Sequence, residues 1–90
     1  MRLDKFLKVS RIIKRRSVAN EACSADRVTI NGKSAKPSKE LAVGDIIGVR
    51  FGDKSAFFKV LILPKGNIGK DDAQTLYEPT EYKIDKYAKN

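Results

Sequence analysis

Histidine and tryptophan are missing from this 90-residue sequence, and it has one cysteine, Cys23, and one methionine. Without histidine the chain lacks the side chain that titrates nearest neutral pH and the commonest nitrogen ligand of metals. One cysteine excludes an internal disulfide and suits a reducing cytosol. With no imidazole to activate it, Cys23 reads as a small helix residue and not as a nucleophile. No run approaches the roughly 18 apolar residues that span a bilayer, and the N-terminus is charged every few residues where a secretory leader would be apolar. These absences point to a soluble cytoplasmic protein with no metal and no cofactor.

They also leave catalysis without a place. Ser10, Ser17 and Ser24 have no partner base, and there is no glycine-rich phosphate loop. The run Lys36-Pro37-Ser38-Lys39 reads as a loop and not as a Ser/Lys pair. Asp71-Asp72 is better explained by the dipole of a helix starting there than by a metal. The expectation is that the chain is not an enzyme.

What is present is basic charge, placed unevenly. The formal net charge is +8. Arg2, Lys5, Lys8, Arg11, Lys14, Arg15 and Arg16 face Asp4 alone within residues 1–16, which puts six of the eight net charges in under a fifth of the chain. From Lys70 to Asn90 acids outnumber bases by one. Such polarity predicts one positive face that meets a polyanion and a tail that does not.

Leu3, Phe6, Leu7, Ser10 and Ile13 follow the i, i+3, i+4 spacing of a helical stripe, with Lys5, Lys8 and Arg11 on the opposite side. Ser17 is placed to cap a second helix over about Val18 to Ala25, packed through Val18, Ala22 and Ala25. Val28-Thr29-Ile30 predicts a short strand, and Asn31-Gly32 a hairpin turn in which both residues take positive φ. Lys33 to Ala35 should pair back until Pro37 ends the ladder. Gly44-Asp45 marks another turn before a strand from Ile46 to Phe51, with Gly48 at a bulge. Residues 52–55 read as a loop into Ala56 to Leu63, expected to be the most buried strand. Asp71 to Leu76 predicts a short helix, and Pro79 to Asn90, poor in periodic apolar residues, an unstructured end.

A chain this short buries only about 60–65% of its unfolded surface, enough for one core. Residues 1–63 read as one domain and 64–90 as an extension. Lysine and arginine on a rigid helix can neutralise phosphates at fixed spacing; five such contacts give a log–log salt slope of about −3.5 on a single strand. Tyr77, Tyr82 and Tyr87 lie in the acidic tail, away from the bases, which disfavours stacking of nucleobases and favours recognition of folded RNA by shape and backbone.

Arg2-Leu3-Asp4-Lys5-Phe6-Leu7, Ser10-Arg11, Arg15-Arg16, Ala19, Val28-Thr29-Ile30-Asn31-Gly32, Lys36-Pro37-Ser38 and Gly44-Asp45 resemble, in order and spacing, the S4 RNA-binding domain family over about residues 1–50. The resemblance implies an α+β fold of S4 type, the αL motif: two N-terminal helices on a small, bent antiparallel sheet, followed here by a short C-terminal tail. It implies RNA contact through the helix pair. The role falls on Arg2, Lys5, Arg11, Arg15 and Arg16 by motif position; Lys8 and Lys14 join them from charge geometry. Arg16, beside the second helix start, is the first choice, with pairing to Glu21 or capping of a carbonyl as its structural alternative. Asp4 is expected to orient Lys8 or a neighbouring arginine, because its charge would repel phosphate. Asp26 departs from the family pattern, which has glycine before the first strand.

Most S4 domains are joined to catalytic modules, and here no length is left for one. The resemblance is nearest to stand-alone bacterial members of ribosome-associated quality control, with the fifteen-kilodalton heat-shock protein a longer-tailed relative. It implies large-subunit ribosomal RNA, peptidyl-tRNA and a factor that adds alanine to the stalled chain as partners. Nothing in the sequence calls for a membrane or for more than a monomer. The alternatives are a general structured-RNA or tRNA-binding protein of ribosome assembly or heat-shock rescue, a peripheral membrane protein using the basic helix on anionic lipids, and a small RNA-modifying enzyme.

Overall fold

The computed structural model describes residues 1–65 and 72–81. Two helices, α1 (Leu3–Val9) and α2 (Arg16–Ser24), precede strands β1 (Val28–Ile30), β2 (Lys33–Ser34), β3 (Ile46–Phe51) and β4 (Lys54–Val60). A single 3₁₀ turn, Ala73–Leu76, then leads into β5 (Tyr77–Thr80). The five strands form one antiparallel sheet in the order β2-β1-β3-β4-β5, so the α+β class expected of the sequence is the fold.

Leu3, Phe6, Leu7 and Ser10 of the first stripe are buried, but the helix stops at Val9. Arg11 takes φ 64, the left-handed conformation that ends helices. Ser10 closes the turn: its hydroxyl donates to the Leu7 carbonyl at 3.2 Å and accepts the Ile12 amide at 3.4 Å. Arg11 is therefore on the turn after α1 and not on the helix face.

α2 begins two residues earlier than its predicted start. Arg15, extended at φ −110, is the residue before the helix, and Ser17 lies inside the first turn without a capping role. Of the residues expected to pack, Ala22 is partly buried against the core, while Val18 is 46% exposed and Ala25 is exposed; Ala19 and Cys23 are the buried ones. The helix is two-sided, and the side turned to the core is the one that carries Ala19 and Cys23. The helix ends in a complete Schellman motif. The Asp26 amide donates to the Cys23 carbonyl (3.1 Å) and the Arg27 amide to that of Ala22 (2.9 Å), with Asp26 at φ 60.

The Asn31-Gly32 turn has φ 52 and 87, the pair of positive values expected of it. Asn31 also ties β1 to β3: its Oδ1 accepts the Ile46 amide (3.0 Å) and its Nδ2 donates to Asp45 Oδ1 (3.1 Å). β3 pairs without interruption on both sides, so Gly48 is not at a bulge. Glycine is required there for space. A Cβ would stand 2.5 Å from Thr29 Oγ1 and 2.8 Å from Phe57 Cε1.

β3, central in the sheet, is more buried than β4, with Ile47 and Val49 in the core. β4 alternates between faces and ends at Val60; Leu61 and Ile62, expected in a buried strand, are exposed and donate their amides to the Leu76 carbonyl. The hairpin before β4 is also tighter than expected, since Phe51 pairs with Lys54 across Gly52-Asp53 alone. At the other end Tyr77–Thr80, with Pro79 included, forms an edge strand on β4, where a proline does not interrupt a second ladder. Leu76 joins the core and Tyr77 meets Phe58 edge to face, centroids 5.3 Å apart. Asp71 and residues 82–90, expected at a helix start and in an unstructured end, lie outside the described residues.

Candidate nucleic-acid interface

α1 buries Phe6 and Leu7 against the sheet, and the same helical geometry turns Lys5 and Lys8 outward. The turn and link to α2 then hold Arg11, Lys14 and Arg15, and Arg16 opens α2. Arg2 precedes α1 in extended conformation and bridges to Glu40 through its backbone. All seven basic residues singled out in the sequence are exposed. Among the described residues, Lys5, Lys8, Arg11, Lys14 and Arg15 have no carboxylate within 4 Å.

Arg2 and Arg16 are held differently. Between them sits Asp4, 2% exposed, on the first turn of α1. Arg2 Nε donates to its Oδ1 (3.2 Å) and Arg2 Nη2 to its Oδ2 (3.3 Å), while Arg16 Nη2 reaches Oδ1 at 3.5 Å. Asn20 of α2 adds its amide to Oδ2 at 3.5 Å. One buried carboxylate thus cross-links α1, α2 and the residue before α1. Arg16 is paired with Asp4 and not with Glu21. Asp4 orients neighbouring arginines as expected, and has no bond to Lys8. Asn20 could not be read from the sequence, since nothing in it says that position 20 faces position 4.

Burial by itself would push the Asp4 carboxyl up. The Asn20 amide, the Arg16 and Arg2 charges and the Lys5 backbone amide outweigh it, and the carboxyl is held below its ordinary value. Asp4 is therefore ionised at neutral pH. The side chains of both arginines remain about half exposed (47% and 48%), so each keeps guanidinium surface for another anion. Cys23 is pushed the other way, up to about 11, by burial and by the Asp4 charge, which makes it a poor nucleophile.

Six exposed cations lie on the two short helices and their link and a seventh, Arg2, just before α1, and Asp4 orients two of the seven. It can accept a row of phosphates. Among the described residues no group of three His, Cys, Asp or Glu could hold a metal, and no helix is long and apolar enough to cross a membrane.

Residues 1–47 match the model of the S4 domain. The chain is 51% identical over 78 residues, 87% of its length and 88% of the relative's, to the RQC P-site tRNA stabilizing factor of Streptococcus pneumoniae. It is 35% identical over 86 residues to the Heat Shock protein 15 homolog of Haemophilus influenzae, covering 96% of this chain and 66% of that one. Among solved structures it resembles trimeric Heat Shock Protein 15 of Vibrio cholerae with a TM-score of 0.80 and 34% identity, over 100% of this chain and 91% of the other.

Proposed function

The chain belongs to the S4 domain family, and from that membership we propose that it is a non-catalytic RNA-binding protein of ribosome-associated quality control. It binds large-subunit ribosomal RNA and stabilises peptidyl-tRNA on stalled large subunits, and so supports the factor that adds alanine to the obstructed chain. It acts as a cytoplasmic, ribosome-associated monomer. The S4 domain of residues 1–63 carries the contact, through Arg2, Lys5, Lys8, Arg11, Lys14, Arg15 and Arg16, and residues 64–90 extend it.

The observation that carries the reading is the run of exposed cations along α1, its turn and the start of α2, with Arg2 and Arg16 locked to one buried carboxylate. Fixed cations lose less side-chain freedom on binding than floppy ones, and a planar guanidinium suits phosphate. The left-handed φ of Arg11 supports the same surface. An arginine there costs on the order of 1 kcal/mol over a residue in ordinary backbone, which is how strain gathers at working sites.

Sedimentation of tagged protein from a cell lysate through a sucrose gradient tests it. The expected result is migration with large subunits, lost in Arg16→Glu. Wild-type protein that stays at the top of the gradient would defeat the quality-control reading. It would favour the second one, a general tRNA- or structured-RNA-binding protein of ribosome assembly or heat-shock rescue, to which the similarity with the heat-shock relatives lends support.

A further inference from the structure

A second cationic surface is lined by residues of neither helix. The β1–β2 hairpin and the loop after it enclose a groove of about 550 Å³ that Lys33, Lys36 and Lys39 line, with the hydroxyl residues Ser34 and Ser38. Among the described residues none of the three lysines has a carboxylate within 4 Å. The one acid on the lining, Asp45, has both oxygens engaged, Oδ1 by Asn31 Nδ2 (3.1 Å) and Oδ2 by the Ala42 amide (2.9 Å). The groove has three cations against one anion, whose two oxygens each already accept a hydrogen bond.

The walls are fixed by backbone hydrogen bonds. The Ala35 amide donates to the Val28 carbonyl (3.1 Å) and the Lys39 amide to that of Lys36 (3.0 Å). The first residues of α1 then clamp the loop: the Leu3 amide donates to the Lys39 carbonyl (2.8 Å) and the Asp4 amide to that of Pro37 (3.1 Å). Lys36 and Lys39 therefore start from a loop anchored to the helix that carries Lys5 and Lys8, and Lys33 from β2.

We propose that this groove is a second anion site that seats the sugar–phosphate backbone of folded RNA, separate from the helix pair and contacting phosphates through Lys33, Lys36 and Lys39. The inference rests on the RNA-binding reading and extends it to a surface not assigned above. Ammonium groups and hydroxyls hold phosphates without reading bases. An acidic peptide fits less well, because protein partners anchor through apolar or aromatic side chains in apolar pockets, and the apolar lining residues Ile30 and Ala35 are buried.

The test uses the full-length protein and a labelled tRNA transcript in filter binding between about 50 and about 200 mM salt, with large-subunit RNA as a second probe. Three variants are compared with wild type: the groove triple Lys33→Ala/Lys36→Ala/Lys39→Ala, a helix-face triple Arg11→Ala/Lys14→Ala/Arg15→Ala, and a control triple Lys54→Ala/Lys59→Ala/Lys65→Ala with the same loss of charge. On one probe or the other the groove triple should lower the magnitude of the log–log salt slope by about 2–3, at about 0.7–0.9 per lost phosphate contact. The control should leave it unchanged. All nine positions are exposed, and circular dichroism should confirm unaltered folding. A groove triple indistinguishable from the control on both probes, with the helix-face triple still impaired, would overturn the groove and spare the RNA-binding reading. Wild-type protein with no salt-dependent binding to either RNA would overturn both. Groove-dependent binding to phosphatidylserine vesicles with unchanged RNA slopes would reassign the groove to lipid and overturn the proposal.

Discussion

Replacing Asp4 by asparagine keeps the shape of the side chain and removes its charge. The variant loses the attraction to Arg2 and Arg16, while one oxygen remains to accept a bond. Hydrogen bonds to a buried charged group contribute about 1.5–3 kcal/mol. The value here falls at the lower end of that range, because the arginine side chains are about half exposed and the contacts run from 3.2 to 3.5 Å. A loss of about 1.5 kcal/mol is expected at neutral pH, which for a domain of this size lowers Tm by roughly 6–12 °C. The pH dependence separates charge from shape. The carboxyl is depressed in the folded state, so its contribution is fully present above the unfolded value of about 3.9 and disappears as pH falls through the folded one. Thermal melts of wild type and Asp4→Asn by circular dichroism should differ by a constant amount from about pH 5 to pH 7 and converge in stronger acid. A gap that persists unchanged into strong acid, or no gap at neutral pH, would refute the assignment of Asp4 as the ionised link between the helices. RNA affinity should fall in the same variant, since Arg16 loses its anchor.

Two further substitutions probe individual positions. Gly48→Ala places a methyl 2.5 Å from Thr29 Oγ1 and should destabilise by about 1–3 kcal/mol, read as a lower urea midpoint at unchanged m; adding Thr29→Ala should recover part of the loss. Arg11→Gly removes the left-handed strain of φ 64 but enlarges the freedom of the unfolded chain, two opposing effects of about 1 kcal/mol each, so stability should stay within about 1 kcal/mol of wild type. The same variant should reduce the magnitude of the RNA salt slope by about 0.7–0.9, which a purely structural Arg11 would leave unchanged.

Most of the architecture was legible because it rests on local chemistry. The Leu3-Phe6-Leu7 spacing determines a helix with one apolar side, and Asn31-Gly32 a turn that needs two positive φ values. Concentration of charge in residues 1–16 determines which end of the chain is cationic. Tertiary packing decided the rest. Whether Ala19 or Val18 faces inward, and whether β3 or β4 is the more buried, depends on neighbours far along the chain. A run such as Phe57 to Leu63, apolar but for Lys59, looks like one buried strand until Tyr77–Thr80 pairs with its first half and Leu61 and Ile62 turn outward. The candidate site divides in the same way. The sequence by itself determined its cations, since their identity and crowding are properties of the chain. Only the tertiary structure brought Asp4, Arg16 and Asn20 together across 12 and 16 residues, because a buried carboxylate recruits whichever donors the packing of two helices leaves within reach.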